Sequence, residues 1–183
     1  MSTTMTVEQA PMPSRGIERG NWYVGIGLGV GGSSLADDAI GGGLAGMTSF
    51  RAGAIIADRL LVGGQMSLAG QFNKWAAMEP TGSALSSVMA EGMYFPMADL
   101  PLNVAAGFGW GSALKVGRLA DNGDSPRVVT QSGNGVAWMT AVGWDFFAGE
   151  GFNLGLQARY DGTHSGNIGA SHAGTMNLWF NFY

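Results

Sequence analysis

From residue 22 onward the chain repeats with a period of two, and no other feature limits its folds so sharply. Trp22, Val24, Ile26, Leu28 and Val30 hold one phase, while Tyr23, Gly25, Gly27, Gly29 and Gly31 hold the other. Successive side chains of an extended strand point to opposite faces, so this spacing predicts a strand with one apolar face. The pattern recurs along the chain. Residues 48–57 carry Phe50, Ala52, Ala54 and Ile56 in one phase, and the next run sets Leu60, Val62, Met66, Leu68 and Phe72 against Gln65, Ser67 and Gln71. In residues 85–95 Val88, Ala90 and Tyr94 compete with Met89 and Met93 for the apolar face, and Glu91 assigns its own phase to the polar side.

Four more runs follow the same rule. Leu102, Val104, Ala106, Phe108 and Trp110 form the apolar phase of a fifth strand, and Val136, Trp138, Thr140, Val142, Trp144 and Phe146 that of a sixth. Phe152, Leu154, Leu156, Ala158 and Tyr160 mark the seventh, and Met176, Leu178, Phe180 and Phe182 the eighth, with Asn177, Trp179, Asn181 and Tyr183 opposite. Polar loops are expected at 32–44, 73–83, 112–134 and 162–172, alternating with short turns at 57–59, 96–101 and 148–151. Long and short connections that alternate are what the two ends of an up-and-down transmembrane barrel require.

A soluble eight-stranded barrel turns its apolar phase inward and needs a water-facing second phase. Here the second phase is chiefly Gly, Ala, Asn, Gln and Ser, and within strands only Arg51, Glu91, Asp145 and Arg159 are charged. Charged residues make up 12% of the chain, about half the share usual for soluble domains. Such a phase suits a confined lumen, which places the apolar phase on lipid. Aromatic girdles agree: Trp22, Tyr94, Phe146, Phe152 and Phe182 gather at the short-turn end, and Phe72, Trp110, Trp138 and Tyr160 at the long-loop end. The eight residues from Trp138 to Phe146 span about 20 Å on a tilted strand, close to the apolar band of such barrels. The expected architecture is an all-β, eight-stranded antiparallel up-and-down transmembrane β-barrel over residues 21–183. Residues 1–20, with Pro11, Pro13 and no apolar stretch, read as a flexible periplasmic segment rather than a secretory signal.

Other classes fit poorly. No apolar run reaches the ~18 residues of a membrane helix. A net charge of −4 supplies no field for phosphates, which argues against nucleic acid as a partner. With no cysteine, disulfides and thiolate metal sites are ruled out.

The chain resembles the Gly-rich outer-membrane β-barrel domains of the OmpA and OmpX type. The likeness rests on residues 22–29 (Trp-Tyr-Val-Gly-Ile-Gly-Leu-Gly), on Gly-Phe-Gly-Trp-Gly at 107–111, on Gly143-Trp144-Asp145-Phe146-Phe147, and on the aromatic end Phe180-Asn181-Phe182-Tyr183. It implies a bacterial outer-membrane location with both termini periplasmic, contact with outer-membrane lipids and lipopolysaccharide, and a surface or envelope protein as partner. It also implies a C-terminal signal, Phe180, Phe182 and Tyr183, for the barrel assembly machinery. Activity is not implied, because the family spans anchors, adhesins, small pores and lipid-modifying enzymes.

Candidate chemistry is sparse, and no cofactor or metal is expected. Residues 27–32 match G-x-G-x-x-G, yet they lie within a strand instead of opening a helix. His164, His172 and Asp161 are of metal-ligating type but nothing in their spacing fixes a geometry. His164 and Ser165 resemble part of the active site of outer-membrane lipid A deacylases, but adjacent residues on a strand face opposite sides, and no acid follows Asp161. Arg51, Glu91, Asp145 and Arg159 balance two against two and predict a lumenal polar network, with Arg51 and Glu91 as partners. The expected function is a non-enzymatic barrel with a side-chain-filled lumen that acts through its long loops. A narrow pore is the alternative, and a lipid A-modifying hydrolase comes third.

Overall fold

The structure, a computed structural model, describes residues 21–35, 43–57, 59–73, 81–97, 100–119, 127–149, 151–166 and 168–183. The segment at 1–20 lies outside the described residues. The strands are β1 (Trp22–Leu35), β2 (Gly43–Ala57), β3 (Leu60–Asn73), β4 (Thr81–Tyr94), β5 (Leu102–Leu119), β6 (Arg127–Gly149), β7 (Phe152–Ser165) and β8 (Gly169–Phe182). Each pairs antiparallel with its chain neighbours, and β8 closes on β1. Closure leaves no sheet edge within the membrane, the condition for a strand protein to span lipid.

The register sets the barrel's shape. One circuit of paired residues runs from Tyr23 through Gly53, Gly63, Glu91, Gly107, Met139, Asp161 and Ala173 to Ser33, ten residues further along β1. At ~3.3 Å per residue and ~4.8 Å between strands, that stagger tilts the strands by about 40°. Two register shifts, at Ile55/Ala57 and Asp145/Phe147, fall at the short-turn rim, where bulges help a curved wall end. Gly151 takes φ +70° in the turn into β7, a left-handed conformation open to glycine at little cost.

Facing follows the alternation. Trp22, Ile26, Leu28, Val30, Phe50, Met66, Val88, Phe108, Val142 and Met176 are exposed on the outer wall, while Tyr23, Arg51, Gln65, Glu91, Met89 and Met93 are buried inside. The carboxylate of Glu91 thus did decide the phase of β4. Strand lengths depart from expectation at the long-loop end: in their described parts, the segments read as loops at 32–44, 73–83, 112–134 and 162–172 are mostly ladder. β5 and β6 stay paired up to Leu119 and Arg127, and β7 and β8 up to Ser165 and Gly169. Toward the long-loop end the outer face meets water while small and polar side chains such as Ala113, Thr163, Ser165 and Ser171 stay buried inside, so pairing continues although the apolar alternation that reveals it has stopped. Phe95, read as the end of the fourth strand, lies past it; its N–H donates to the Arg59 carbonyl and its side chain is buried.

Apolar residues form buried clusters at two levels of the lumen. Tyr23, Leu61, Met89, Met93, Phe95, Ala105, Ala137, Met139 and Ala141 form one buried cluster, against which Ile55 and Tyr183 pack. Met47, Ala69, Leu85, Ala113, Ile168 and Ala173 form a second toward the long-loop end.

Candidate functional site

The glycine phase of β1 is the floor on which the interior is built. A Cβ at Gly27 would fall 2.7 Å from Trp179, and one at Gly63 would fall 2.7 Å from the Tyr23 hydroxyl. Glycine on these strands therefore makes room for large side chains from β8 and β1. Trp179 in turn carries the Arg51 guanidinium, centred 3.9 Å from its ring. Arg51 donates through Nη2 to Asn181 Oδ1 at 2.7 Å and through Nε at 3.1 Å, and its Nη1 meets Glu91 Oε1 at 3.4 Å. Arginine suits this place because its planar fork stacks and donates at once.

Arg159 is held differently. Its Nε donates to Asp161 Oδ2 at 2.7 Å, its Nη2 to Asp161 Oδ1 as well, and Nη2 also reaches Ser67 Oγ on the far wall at 3.2 Å. Ser67 shares a 2.7 Å hydrogen bond with Ser87. Asp145 accepts from Asn153 Nδ2 at 2.6 Å and from Asn103 Nδ2 at 3.2 Å. The four charges singled out in the sequence are thus dispersed: Arg51 and Glu91 meet, Arg159 turns to Asp161, and Asp145 sits among amides. Asp161 was missed as a lumenal partner, although residues i and i+2 of a strand share a face, which is a signal the sequence did carry.

Long side chains of the inward phase gather in the lumen, and Arg159 reaches Ser67 across it. Tyr23, Arg51, Gln65, Glu91, Asn103, Met139, Gln157, Arg159 and Trp179 are all buried. His164 is exposed on the outer wall whereas Ser165 is fully buried within, so the adjacent pair is split by the wall between them. Asp161 faces inward, while His172 stacks on the outward Tyr160 ring at 5.7 Å. No cluster of metal-ligating side chains forms among the described residues.

On the outer wall, Trp22, Tyr94, Phe146 and Phe182 are exposed at the short-turn end, and Phe152 packs on Phe182 with ring centroids 5.4 Å apart. At the other end Trp110 and Tyr160 are exposed and Trp138 leans on Tyr160 at 5.4 Å. The side chain of Phe72 lies outside the described residues. At the C-terminus Phe182 points outward, whereas Tyr183 turns in toward the lower apolar cluster and donates its N–H to the Gly151 carbonyl at 3.0 Å.

No family model matches the sequence, and no curated protein matches it. Solved structures do. The attachment invasion locus protein Ail of Yersinia pestis, crystallised with the heparin analogue sucrose octasulfate, aligns over 88% of this chain and 99% of its own, with a TM-score of 0.64 at 11% identity. Neisserial surface protein A aligns over 89% of this chain and 97% of its own, with a TM-score of 0.56 at 16% identity. The shared feature is the fold: this chain is an eight-stranded transmembrane β-barrel of the outer-membrane type.

Proposed function

We propose that this barrel sits in a bacterial outer membrane with both termini periplasmic and acts, without catalysis, as a structural or surface-interaction protein through its long-loop end. The observation that carries the reading is the lumen, where buried side chains gather and apolar clusters lie at two levels. With the interior filled and the outer wall apolar, the polar surface left for a partner is the long-loop end. There β5 and β6 rise as a paired ribbon beyond the last β4 partner, Val116, and beyond the last β7 partner, Gly135.

The partner class follows from charge. The long-loop segments carry Lys74, Lys115, Arg118 and Arg127 against Asp37, Asp38, Glu79, Asp121 and Asp124. A balanced set favours a mixed-charge protein surface over a sulfated polymer of the kind represented by the ligand of Ail. The wall itself would meet outer-membrane lipids and lipopolysaccharide. Of the aromatic end, Phe180 and Phe182 are the residues a barrel assembly machinery would read, with Tyr183 engaged in closing the lumen.

Purified protein in planar bilayers is expected to show no steady conductance. Reproducible single-channel steps whose ion preference changes on Arg51 or Glu91 substitution would overturn the filled lumen in favour of a narrow pore. Membrane placement has its own test: Val142→Lys puts a charge on the lipid face and should cost about 2–4 kcal/mol of stability in bilayers. Insertion equal to wild type would count against it.

A further inference from the structure

The outer wall is not uniformly filled. On its β6–β7–β8–β1 side a depression of about 490 Å³ is walled by Val30, Thr140, Val142, Ala158 and Met176. Directly above it, toward the long loops, a second depression of about 620 Å³ is lined by Gly32, Ser34, Leu44 and His172. The two share Gly31, Tyr160 and Gly174, so they form one groove that crosses the upper aromatic girdle at Tyr160. Its lower half is continuous with the lipid-facing wall.

The upper half has a different chemistry. Its floor is bare backbone: among the described residues, a Cβ at Gly32 would meet only the Gly43 carbonyl, at 3.9 Å, and one at Gly174 only Tyr160, at 4.0 Å. A flat ring can approach such a floor closely. Beside it stand the stacked rings of Tyr160 and His172, nearly parallel at 13°, and the exposed Ser34. His172 Nδ1 is buried with no hydrogen-bond partner among the described residues. An occupant that satisfies both halves is amphiphilic, with an acyl chain below the girdle and a hydroxyl-rich ring above it.

We infer that this groove is a binding site for one outer-leaflet glycolipid, with its sugar on the Gly32–Gly174 floor against Tyr160 and His172 and an acyl chain along Val30, Ala158 and Met176. The inference deepens the proposed contact of the wall with lipopolysaccharide and rests on that wall being lipid-facing. Aromatic and imidazole rings give a sugar apolar contact without demanding charge, and the wall of the upper half holds no lysine or arginine among the lining residues.

The test uses the full chain in lauryldimethylamine oxide micelles, mixed with lipid A and with dioleoylphosphatidylglycerol, which has a phosphate but no sugar ring. Native mass spectrometry should show one retained lipid A, and about tenfold weaker retention of phosphatidylglycerol. Gly32→Leu fills the groove from an open position and His172→Ala removes one ring; each should lower lipid A retention about tenfold while heat-modifiable gel mobility reports an intact barrel. Gly46→Leu, an outward glycine of β2 with nothing within 4 Å of its Cβ, should leave retention unchanged. Equal retention of the two lipids, or equal loss in Gly46→Leu and Gly32→Leu, would overturn the site. Failure of the wild-type chain to insert into phosphatidylcholine vesicles would instead overturn the lipid-facing wall on which it rests.

Discussion

The two buried arginines of the lumen are stabilised in contrasting ways. Arg159 takes its counter-charge from two residues along the same strand, and the remainder of its hydrogen bonding from one serine across the barrel. Arg51 takes Glu91 from β4, Asn181 from β8 and a ring face from Trp179, none of them near in sequence. Arg51 is therefore a hub that exists only once the barrel has closed, whereas the Arg159–Asp161 pair is available to an isolated extended strand. A hub with several partners tolerates the loss of one of them better than a pair does, because the buried cation is left less exposed to an apolar surrounding.

Asp161→Ala is the sharpest way to break this comparison. It leaves a guanidinium with a fully buried side chain and a single serine partner, and should cost about 3–5 kcal/mol in urea unfolding of the folded barrel. Glu91→Ala should cost less, about 2 kcal/mol, since Asn181 and Trp179 still hold Arg51. A larger loss for Glu91→Ala than for Asp161→Ala would mean that the hub is no more tolerant than the pair. Ser67→Ala comes lowest, at about 1 kcal/mol. Its effect should couple to that of Asp161→Ala by more than about 0.5 kcal/mol, because both side chains serve Arg159, and should add simply to that of Glu91→Ala. Coupling of Ser67 to Glu91 instead would merge the two arginine sites into one network.

The same contrast explains how much of the molecule was legible in advance. Eight strands, the phase of each and the inward course of Tyr23, Arg51, Glu91 and Trp179 follow from a period of two and from the cost of placing charge in lipid. Strand ends at the long-loop side were not legible: residues 112–119 and 127–134 carry polar side chains, yet β5 and β6 pair through them. Backbone hydrogen bonds are indifferent to which side chains flank them once the outer face no longer meets lipid. Ile168 was likewise hidden, since it was read as loop and instead caps the upper apolar cluster.

What the sequence determined by itself is therefore the wall: which residues face out, which face in, and that the wall closes, because every apolar phase needs lipid on one side and every strand needs two neighbours. What the tertiary structure decided is which inward residues meet. A stagger of ten residues per circuit sets Arg51 beside Glu91 and Asn181, lays Trp179 over Gly27, and brings Asn103 and Asn153 to Asp145. Alternation specifies a face but says nothing of height along the barrel axis, and contact across a lumen depends on height.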